Sequence, residues 1–238
     1  SCFGEDTELT KTEEEGVYVV ERTIGGNLWT QLDSLTDLLA LVNFQFRLKA
    51  EVSKTANAYD AIAIKEMIVN AIVHRDYSID CPVSVLVEQH CIYVESPGGL
   101  IDEVAVQTLD RSFQDLIVER KRPIKGYRNP AISDLFYGGG QMDRRGSGLS
   151  DMVLLTKNNN GVVSFGPNED NTRFCVTIEA RPEAVDELTQ TALPIESETV
   201  RFAANLVPIE TLPKVVWHAG TTARSNRSFF QSAKELSP

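Results

Sequence analysis

The sequence predicts an α+β fold, and two features support that prediction. An apolar run from Ala61 to Val73 contains neither Gly nor Pro, which predicts a helix buried on most of its circumference. Two pairs of segments alternate apolar and polar residues, as strands with one buried face do. Residues 83–88 precede 91–95 after a two-residue connection, and 161–165 precede 172–178 after a polar loop. We therefore expect strand pairs and helices in one fold.

Composition limits the classes of protein to which the chain can belong. The 238 residues are 42% hydrophobic and 24% charged, which is ordinary for a globular protein. No apolar run approaches the roughly 20 residues of a membrane helix, and no signal peptide is recognised, so we expect no membrane association. The net charge of −11, from 23 basic and 34 acidic residues, opposes non-specific binding of nucleic acid by the chain as a whole.

Cysteine usage predicts a reducing compartment. Cys2, Cys81, Cys91 and Cys175 form no Cys-x-x-Cys pair, and most of them fall in predicted strands or at strand ends. We therefore expect reduced structural thiols in a cytoplasmic protein.

An acid and an amide interrupt the apolar helix. Glu66 and Asn70 lie four residues apart and therefore project from the same helix face. Burying an unpaired carboxylate costs several kcal/mol, so these groups require a chemical reason. One explanation is structural, with both groups satisfied by neighbouring backbone. The other is a metal-nucleotide site in which Asn70 offers an oxygen to Mg²⁺ and Glu66 polarises the attacking water.

Two glycine segments follow at intervals along the chain. The strand over residues 91–95 continues into Ser96-Pro97-Gly98-Gly99, where a glycine pair permits positive φ and close approach to a ligand. Alone, such a pair is usually a turn. Farther on, Gly146-Ser147-Gly148 precedes the apolar run 149–154. Bare amides at a helix start form an anion cradle, although a loop with a glycine cap gives the same pattern.

In this order, the segments resemble the ATP-binding domain of RecG-like and Schlafen-AlbA-associated transcriptional regulators. Those proteins belong to the ATPase superfamily of gyrase B, the histidine kinases and MutL. The Glu-x-x-x-Asn-Ala run resembles the N-box of the superfamily, and Pro-Gly-Gly and Arg-Gly-Ser-Gly resemble its two glycine boxes. The resemblance covers about residues 58–178. It implies a two-layer α/β sandwich of the Bergerat type, with a mixed, mostly antiparallel sheet covered on one face by helices and an additional C-terminal segment.

The resemblance also implies a site that holds ATP and Mg²⁺. It assigns Glu66 as the general base and Asn70 as the metal ligand. At the head of the first glycine box the superfamily places an Asp that reads adenine; Glu95 aligns there, and Pro97 replaces the next expected Gly. The implied nucleotide-binding residues are Asn70, His74, Glu95, Gly98, Gly99, Arg128, Arg145, Gly146, Ser147 and Gly148.

A basic segment precedes the second glycine box. Seven of its residues are basic: Arg120, Lys121, Arg122, Lys125, Arg128, Arg144 and Arg145. The segment is either a solvated cationic loop or a lid that closes over a triphosphate, with Arg128 and Arg145 as the phosphate contacts. His74 admits two readings, as a group facing the nucleotide or as a structural helix-end residue. For Arg75 and Asp76, a local pair that ends the helix is an equal alternative.

Composition shifts divide the chain into four parts. Residues 1–57 form a lead-in with a strand from Val17 to Thr23 and an amphipathic helix from Leu28 to Leu48, and residues 58–180 form the nucleotide-binding domain. Residues 181–199 are a linker with a short helix over 182–191, and 200–238 are a C-terminal extension. The upstream DNA-binding domain of the family is absent, so DNA contact would come through a domain outside this chain. A homodimer is compatible with this organisation.

The sequence therefore predicts an ATP-binding, Mg²⁺-dependent domain of a RecG-like regulator, in which slow hydrolysis serves as a conformational switch. The alternative is a nucleotide-sensing or structural interaction module that binds without turnover. Phosphotransfer of the kinase type ranks last, because nothing resembles a phosphoacceptor His helix.

Overall fold

The computed structural model describes residues 17–48, 55–88, 90–108, 112–119, 126–143, 146–191 and 199–206. The strands within this part of the chain are β1 (Val17–Ile24), β2 (Gln45–Arg47), β3 (Thr55–Asn57), β4 (Val83–Val87), β5 (Cys91–Pro97), β6 (Val162–Pro167), β7 (Arg173–Glu179) and β8 (Thr199–Leu206). The α-helices are α1 (Leu28–Val42), α2 (Ala61–His74), α3 (Asp102–Ala105), α4 (Phe113–Glu119), α5 (Pro130–Gly138), α6 (Gly148–Asn158) and α7 (Pro182–Thr191).

Six strands form one mixed sheet in the order β1-β8-β4-β5-β7-β6. All neighbours are antiparallel except β1 and β8, which run parallel. The short strands β2 and β3 form a separate antiparallel pair. The α+β class expected from the sequence is therefore confirmed.

Helices cover one face of this sheet. Along β4 and β5 every second side chain is buried, including Val85, Val94 and Ser96, while the intervening side chains are partly exposed. α2 contacts β5 and β7, and α4 and α6 contact β6. The core thus lies between the sheet and this helical layer, which makes the described fold a two-layer arrangement.

The central helix α2 owes its position to an apolar surface and a defined start. Asp60 caps its N-terminus by accepting hydrogen bonds from the backbone amides of Ile62 and Ala63, both at 2.9 Å. Met67 and Ile68 on this helix are fully buried. α2 also contacts α1 and α6, so it is enclosed from several sides and holds its remaining face against a cavity.

The predicted strand pairs 83–88 with 91–95 and 161–165 with 172–178 are confirmed as β4–β5 and β6–β7. The helix expected from Leu28 to Leu48 is too long. It ends at Val42, where Asn43 caps the carboxyl end through its backbone N–H, and β2 follows. Asn43 exchanges two side-chain hydrogen bonds with Tyr59, which turns the chain away from the helix axis.

The segments assigned to the lead-in and the C-terminal extension contribute strands to the main sheet. β8 lies between β1 and β4 and is hydrogen-bonded to both. The helix expected within the linker is confirmed as α7. Among the helices of the described residues, none has the length and apolar character required to cross a bilayer.

Candidate functional site

A cavity of about 830 Å³ opens beside α2, between that helix, β5, α5 and the start of α6. Glu66, Asn70 and His74 all line it. These residues are spaced four apart, so they occupy successive turns on one helix face. The shared face that the sequence predicted for Glu66 and Asn70 is therefore confirmed.

The side-chain nitrogen of Asn70 is hydrogen-bonded to its own helix. Its Nδ2 donates to the backbone carbonyl of Glu66 at 2.7 Å, which fixes the orientation of the side chain. The amide oxygen therefore remains as an acceptor on the cavity wall. Burial raises the pKa of the Glu66 carboxyl above its usual range, and the nearby carboxylate of Asp151 adds to the rise. Glu66 is thus a stronger base than an exposed glutamate.

The second glycine segment, residues 146–148, lies next to Glu66 and Asn70. Gly146 has φ +68°, and Ser147 precedes the first residue of α6 without a capping hydrogen bond from its side chain. A Cβ on Gly148 would lie 2.6 Å from Glu66 Oε2 and 3.4 Å from Asn70 Nδ2. The amino end of α6, which carries the positive end of the helix dipole, therefore lies beside the acid and the amide on the cavity wall.

The first glycine segment is held in place by the turn between β6 and β7. Gly98 has φ +93°, as the glycine pair predicted, and its N–H donates to the carbonyl of Thr172 at 2.7 Å. Asn171 pairs with Leu100 twice, accepting from its N–H at 2.7 Å and donating to its carbonyl at 3.1 Å. A Cβ on Gly99 would lie 2.2 Å from the backbone oxygen of Asn171. Only glycine fits this contact.

Arg128 supports the same segment. Its guanidinium donates to Asp76 Oδ2 at 3.2 Å and to the carbonyl of Gly99 at 2.9 Å. The next residue, Asn129, donates from Nδ2 to the carbonyls of Val73 at 2.9 Å and Arg75 at 2.7 Å. These two residues connect the end of α2 to the glycine loop. Arg128 also lines the cavity, whereas Arg145 falls outside the described residues.

His74 lies on the cavity wall and stacks on Tyr127, with ring centroids 6.0 Å apart and planes 12° from parallel. Burial, together with the positive charge of Arg128, lowers the pKa of His74 to about 4. The ring is therefore neutral at neutral pH.

The local pair that the sequence left open for Arg75 and Asp76 is replaced by contacts with other residues. Arg75 is buried, donates to the carbonyl of Cys81 at 2.8 Å and lies over the ring of Tyr77, while Asp76 accepts from Arg128. Each residue therefore ties the end of α2 to a different neighbour.

Glu95 does not reach the cavity, so the adenine-reading position expected for it is wrong. Its side chain lies on the opposite face of β5, where it pairs with Arg173 and accepts from the hydroxyl of Tyr93 at 2.9 Å. The next residue, Ser96, is buried and lines the cavity, and its hydroxyl donates to the carbonyl of Ala71 at 2.9 Å. Because that proton is committed, Ser96 Oγ presents acceptor lone pairs to the remaining space.

Part of the cavity lining is apolar. Six of these side chains come from the sheet and from α3 and α4: Val94, Val104, Phe113, Ile117, Phe174 and Val176. A flat, largely apolar group of a ligand would find favourable surroundings against them. The cavity therefore combines apolar lining residues with the polar group formed by Glu66, Asn70 and the start of α6.

α5 forms part of the opposite wall. Tyr137 and Gly138 of this helix line the cavity, and Phe136 stacks on Trp29 of α1 with ring centroids 5.0 Å apart and planes 10° from parallel. The ring of Trp29 also covers Gly139, where a Cβ would lie 2.0 Å from it. α5, which lies within the basic segment, is therefore in contact with α1 of the lead-in.

Three supporting residues were missed by the sequence reading, namely Ser96, Asn129 and Asn171. Ser96 could have been found, since it shares its parity along β5 with the apolar Ile92 and Val94. Asn171 comes from the β6–β7 turn, far away in the chain, and only the folded sheet brings it to Leu100.

No protein-family model matches the chain, and no curated protein matches it. A solved structure similar to it is that of the DIP2311 protein from Corynebacterium diphtheriae, with 23% sequence identity and a TM-score of 0.49. The match covers 69% of this chain and 32% of that protein, so the chain spans about a third of that protein's length. A likeness at this level assigns neither a family nor a function.

Proposed function

We propose that the cavity binds ATP with Mg²⁺ and that the chain is the ATP-binding domain of a RecG-like regulator, where slow hydrolysis acts as a conformational switch. One observation carries this proposal. The acid Glu66, the amide Asn70 and the glycine start of α6 meet on the wall of an 830 Å³ cavity that is also lined by apolar side chains from the sheet, α3 and α4. A nucleotide has the same combination, in its phosphates and its base.

The donor set suits magnesium held together with phosphates. Mg²⁺ keeps several waters and commonly takes only one or two protein oxygens when substrate phosphates complete its shell. Within the described residues no group of three or more His, Cys, Asp and Glu side chains could hold a metal, but the Asn70 amide oxygen supplies one ligand. When bound, the ion would neutralise phosphate charge.

Glu66 would serve as the general base. Its raised pKa makes the carboxylate a better proton acceptor than an exposed glutamate, and this effect follows from burial and from the charge of Asp151. The backbone amides at the start of α6 would donate to phosphate oxygens, since Gly148 leaves no side chain between them and Glu66.

The apolar side chains of the lining would receive the base. The Ser96 hydroxyl donates its hydrogen bond to the Ala71 carbonyl, so Ser96 Oγ would act as an acceptor for the exocyclic amino group of adenine. A neutral hydroxyl contributes a modest preference, and we expect ATP to bind about tenfold more tightly than GTP. Ser96→Ala should abolish this preference, whereas Glu95→Ala, on the other sheet face, should leave it unchanged. Relative affinities from competition titrations decide between the two residues.

The proposal is tested by thermal unfolding with millimolar Mg-ATP, with ATP plus EDTA, and with Mg²⁺ alone. At a free ligand concentration a hundred times the dissociation constant, binding stabilises the fold by about 2.7 kcal/mol and raises the Tm. We expect the rise with Mg-ATP and a much smaller one when EDTA removes the metal. If the Tm does not rise under any of these conditions, the proposed nucleotide site is contradicted.

A sensor without turnover is the second candidate, because one contact favours it. Trp29 stacks on Phe136 of α5, the helix whose Tyr137 and Gly138 line the cavity, so a ligand in the cavity would contact a helix that packs on α1 without any hydrolysis. Glu66→Gln separates the candidates. Wild-type turnover that this variant loses, with binding retained, supports the ATPase, and a wild type that binds but never hydrolyses supports the sensor.

As a RecG-like regulator the protein would be cytoplasmic, would exchange ATP for ADP and would contact DNA through a domain outside this chain. A homodimer is part of the same proposal.

A further inference from the structure

The β6 strand, which ends the described sheet opposite to β1, has an unusual neighbour on its outer side. β6 pairs with β7 along one side only. On the other side, Gln114 of α4 donates from Nε2 to the carbonyl of Val163 at 3.0 Å and accepts from the N–H of Phe165 at 2.9 Å. One side-chain amide thus supplies both the donor and the acceptor that an adjoining strand would supply.

The position of Gln114 is fixed by its neighbours. Phe113 packs edge-on against Phe165 and Phe174, with ring centroids 6.1 and 5.7 Å apart. Phe113 and Ile117 are buried, so α4 is attached to the sheet through an apolar face and a bidentate hydrogen bond. The packing of α4 on the sheet therefore holds Gln114 in its contact with β6.

The strand beneath this contact lacks the usual protection of sheet edges. Natural edge strands carry charges, interior prolines or bulges that discourage pairing with another chain. The sequence of β6, Val-Val-Ser-Phe-Gly-Pro, contains no charge, and its proline stands at the end. Val162 is 57% exposed. Two copies of such a strand can pair antiparallel about a twofold axis, because each presents the same backbone groups to the other.

We propose that Gln114 is a cap that prevents β6 from pairing with β6 of a second copy of this chain. Displacement of α4 would convert this edge into a dimerisation surface. The inference depends on the hydrogen bonds of Gln114 and on the composition of β6, and it does not depend on what fills the cavity.

The test replaces Gln114 by Leu in the full chain, which keeps the side-chain size and removes both hydrogen bonds. We expect self-association to become about tenfold tighter or more in light scattering over a concentration series, since an open edge recovers several backbone hydrogen bonds on pairing. The matched control is Gln107→Leu, the same change at an exposed position, which should associate as the wild type does. At low concentration the Phe165 amide should exchange faster in Gln114→Leu, and at high concentration it should regain protection.

A second substitution identifies the surface. Ser164 is exposed on β6, and Ser164→Lys would place like charges opposite each other in a symmetric pair. The double variant should return to the association of the wild type. Association of Gln114→Leu equal to that of wild type, or association that Ser164→Lys leaves intact, overturns the proposal. If Gln114→Leu does not fold, Gln114→Glu removes the donor alone and must meet the same expectations.

Discussion

The two glycine segments of the cavity differ in what surrounds them. Around Gly98 and Gly99 the close neighbours belong to the protein scaffold, including the backbone of Asn171 and the guanidinium of Arg128. Around Gly148 the close neighbours are the Glu66 carboxylate and the Asn70 amide, which are ends of side chains on the cavity wall. One segment therefore needs glycine so that the fold can close, and the other needs glycine so that the site stays open.

This difference separates stability from binding. A side chain added at Gly99 must displace backbone, which is costly, whereas one added at Gly148 meets the movable end of Glu66. Substitutions at the first segment should therefore lower the free energy of unfolding. Substitutions at the second should chiefly lower the affinity for the ligand.

The largest effect is expected for Gly148→Val. The new side chain would occupy the space beside Glu66 where phosphate would lie, and should weaken Mg-nucleotide binding by roughly 100-fold or more. The free energy of unfolding should fall by less than about 1 kcal/mol, since the Glu66 side chain can rotate away. Calorimetric titration and urea unfolding measure the two quantities.

The control for that variant is Gly166→Val, because a Cβ on Gly166 meets no atom within 4 Å. It should bind as the wild type does. A Gly148→Val protein with wild-type affinity would contradict the assignment of this turn to the phosphates.

Gly99→Ala should show the opposite pattern. The added methyl would lie 2.2 Å from the Asn171 carbonyl oxygen, and relieving this overlap should cost about 2 kcal/mol of stability. Gly138→Ala is the matched control, since a Cβ there is free of contacts and should be neutral or slightly stabilising. Equal urea midpoints for Gly99→Ala and Gly138→Ala would show that the first segment is not clamped.

His74 gives a pH test near the clamped segment. Its pKa is about 4 in the folded protein and about 6.5 when unfolded. As the pH falls, the unfolded chain is therefore protonated before the folded protein. Its contribution to stability is complete above pH 6.5 and is lost as pH falls through about 4. The whole shift corresponds to about 3 kcal/mol, and partial exposure of the ring reduces this to about 1 to 2 kcal/mol.

His74→Gln isolates that contribution. The difference in unfolding free energy between wild type and variant should depend on pH between 6.5 and 4 and should be constant above this range. A difference that is constant over the whole range would mean that the ring titrates normally.

The smallest effect is expected for Arg128→Lys. A lysine keeps the charge but cannot reach both Asp76 and the Gly99 carbonyl with a planar fork, so stability should fall by about 1 kcal/mol. A direct phosphate contact would instead make the loss larger in nucleotide affinity than in unfolding free energy. Comparing the two losses in one variant distinguishes loop support from ligand contact.

The parts of this molecule that local periodicity determines could be predicted from the sequence. The helical repeat placed Glu66 and Asn70 on one face, and the alternation within residues 161–165 and 172–178 gave the β6–β7 pair. The same alternation along β5 favours Ser96 over Glu95, because Ile92 and Val94 mark the buried parity. The error at Glu95 arose because a motif position was preferred over strand geometry.

Features built from distant segments could not be predicted in this way. The double hydrogen bond between Asn171 and Leu100 joins residues 71 positions apart, and Gln114 reaches a strand about 50 residues later. The end of α1 at Val42 depends on Asn43 meeting Tyr59. Single polar residues in turns and helices carry no periodic signal, so their partners become known only in the folded chain.

The most direct test of the central claim is an equilibrium titration of the full chain with ADP and with ATP, with Mg²⁺ and with EDTA, repeated for Asn70→Ala. If the cavity is a magnesium-nucleotide site, wild type should bind in the presence of Mg²⁺, and EDTA or Asn70→Ala should each weaken binding by about tenfold or more. Combining EDTA with Asn70→Ala should add little, since both remove the same metal contact. The account would be contradicted by an affinity that stays the same when Mg²⁺ is removed or Asn70 is replaced. The absence of binding at millimolar nucleotide would contradict it as well.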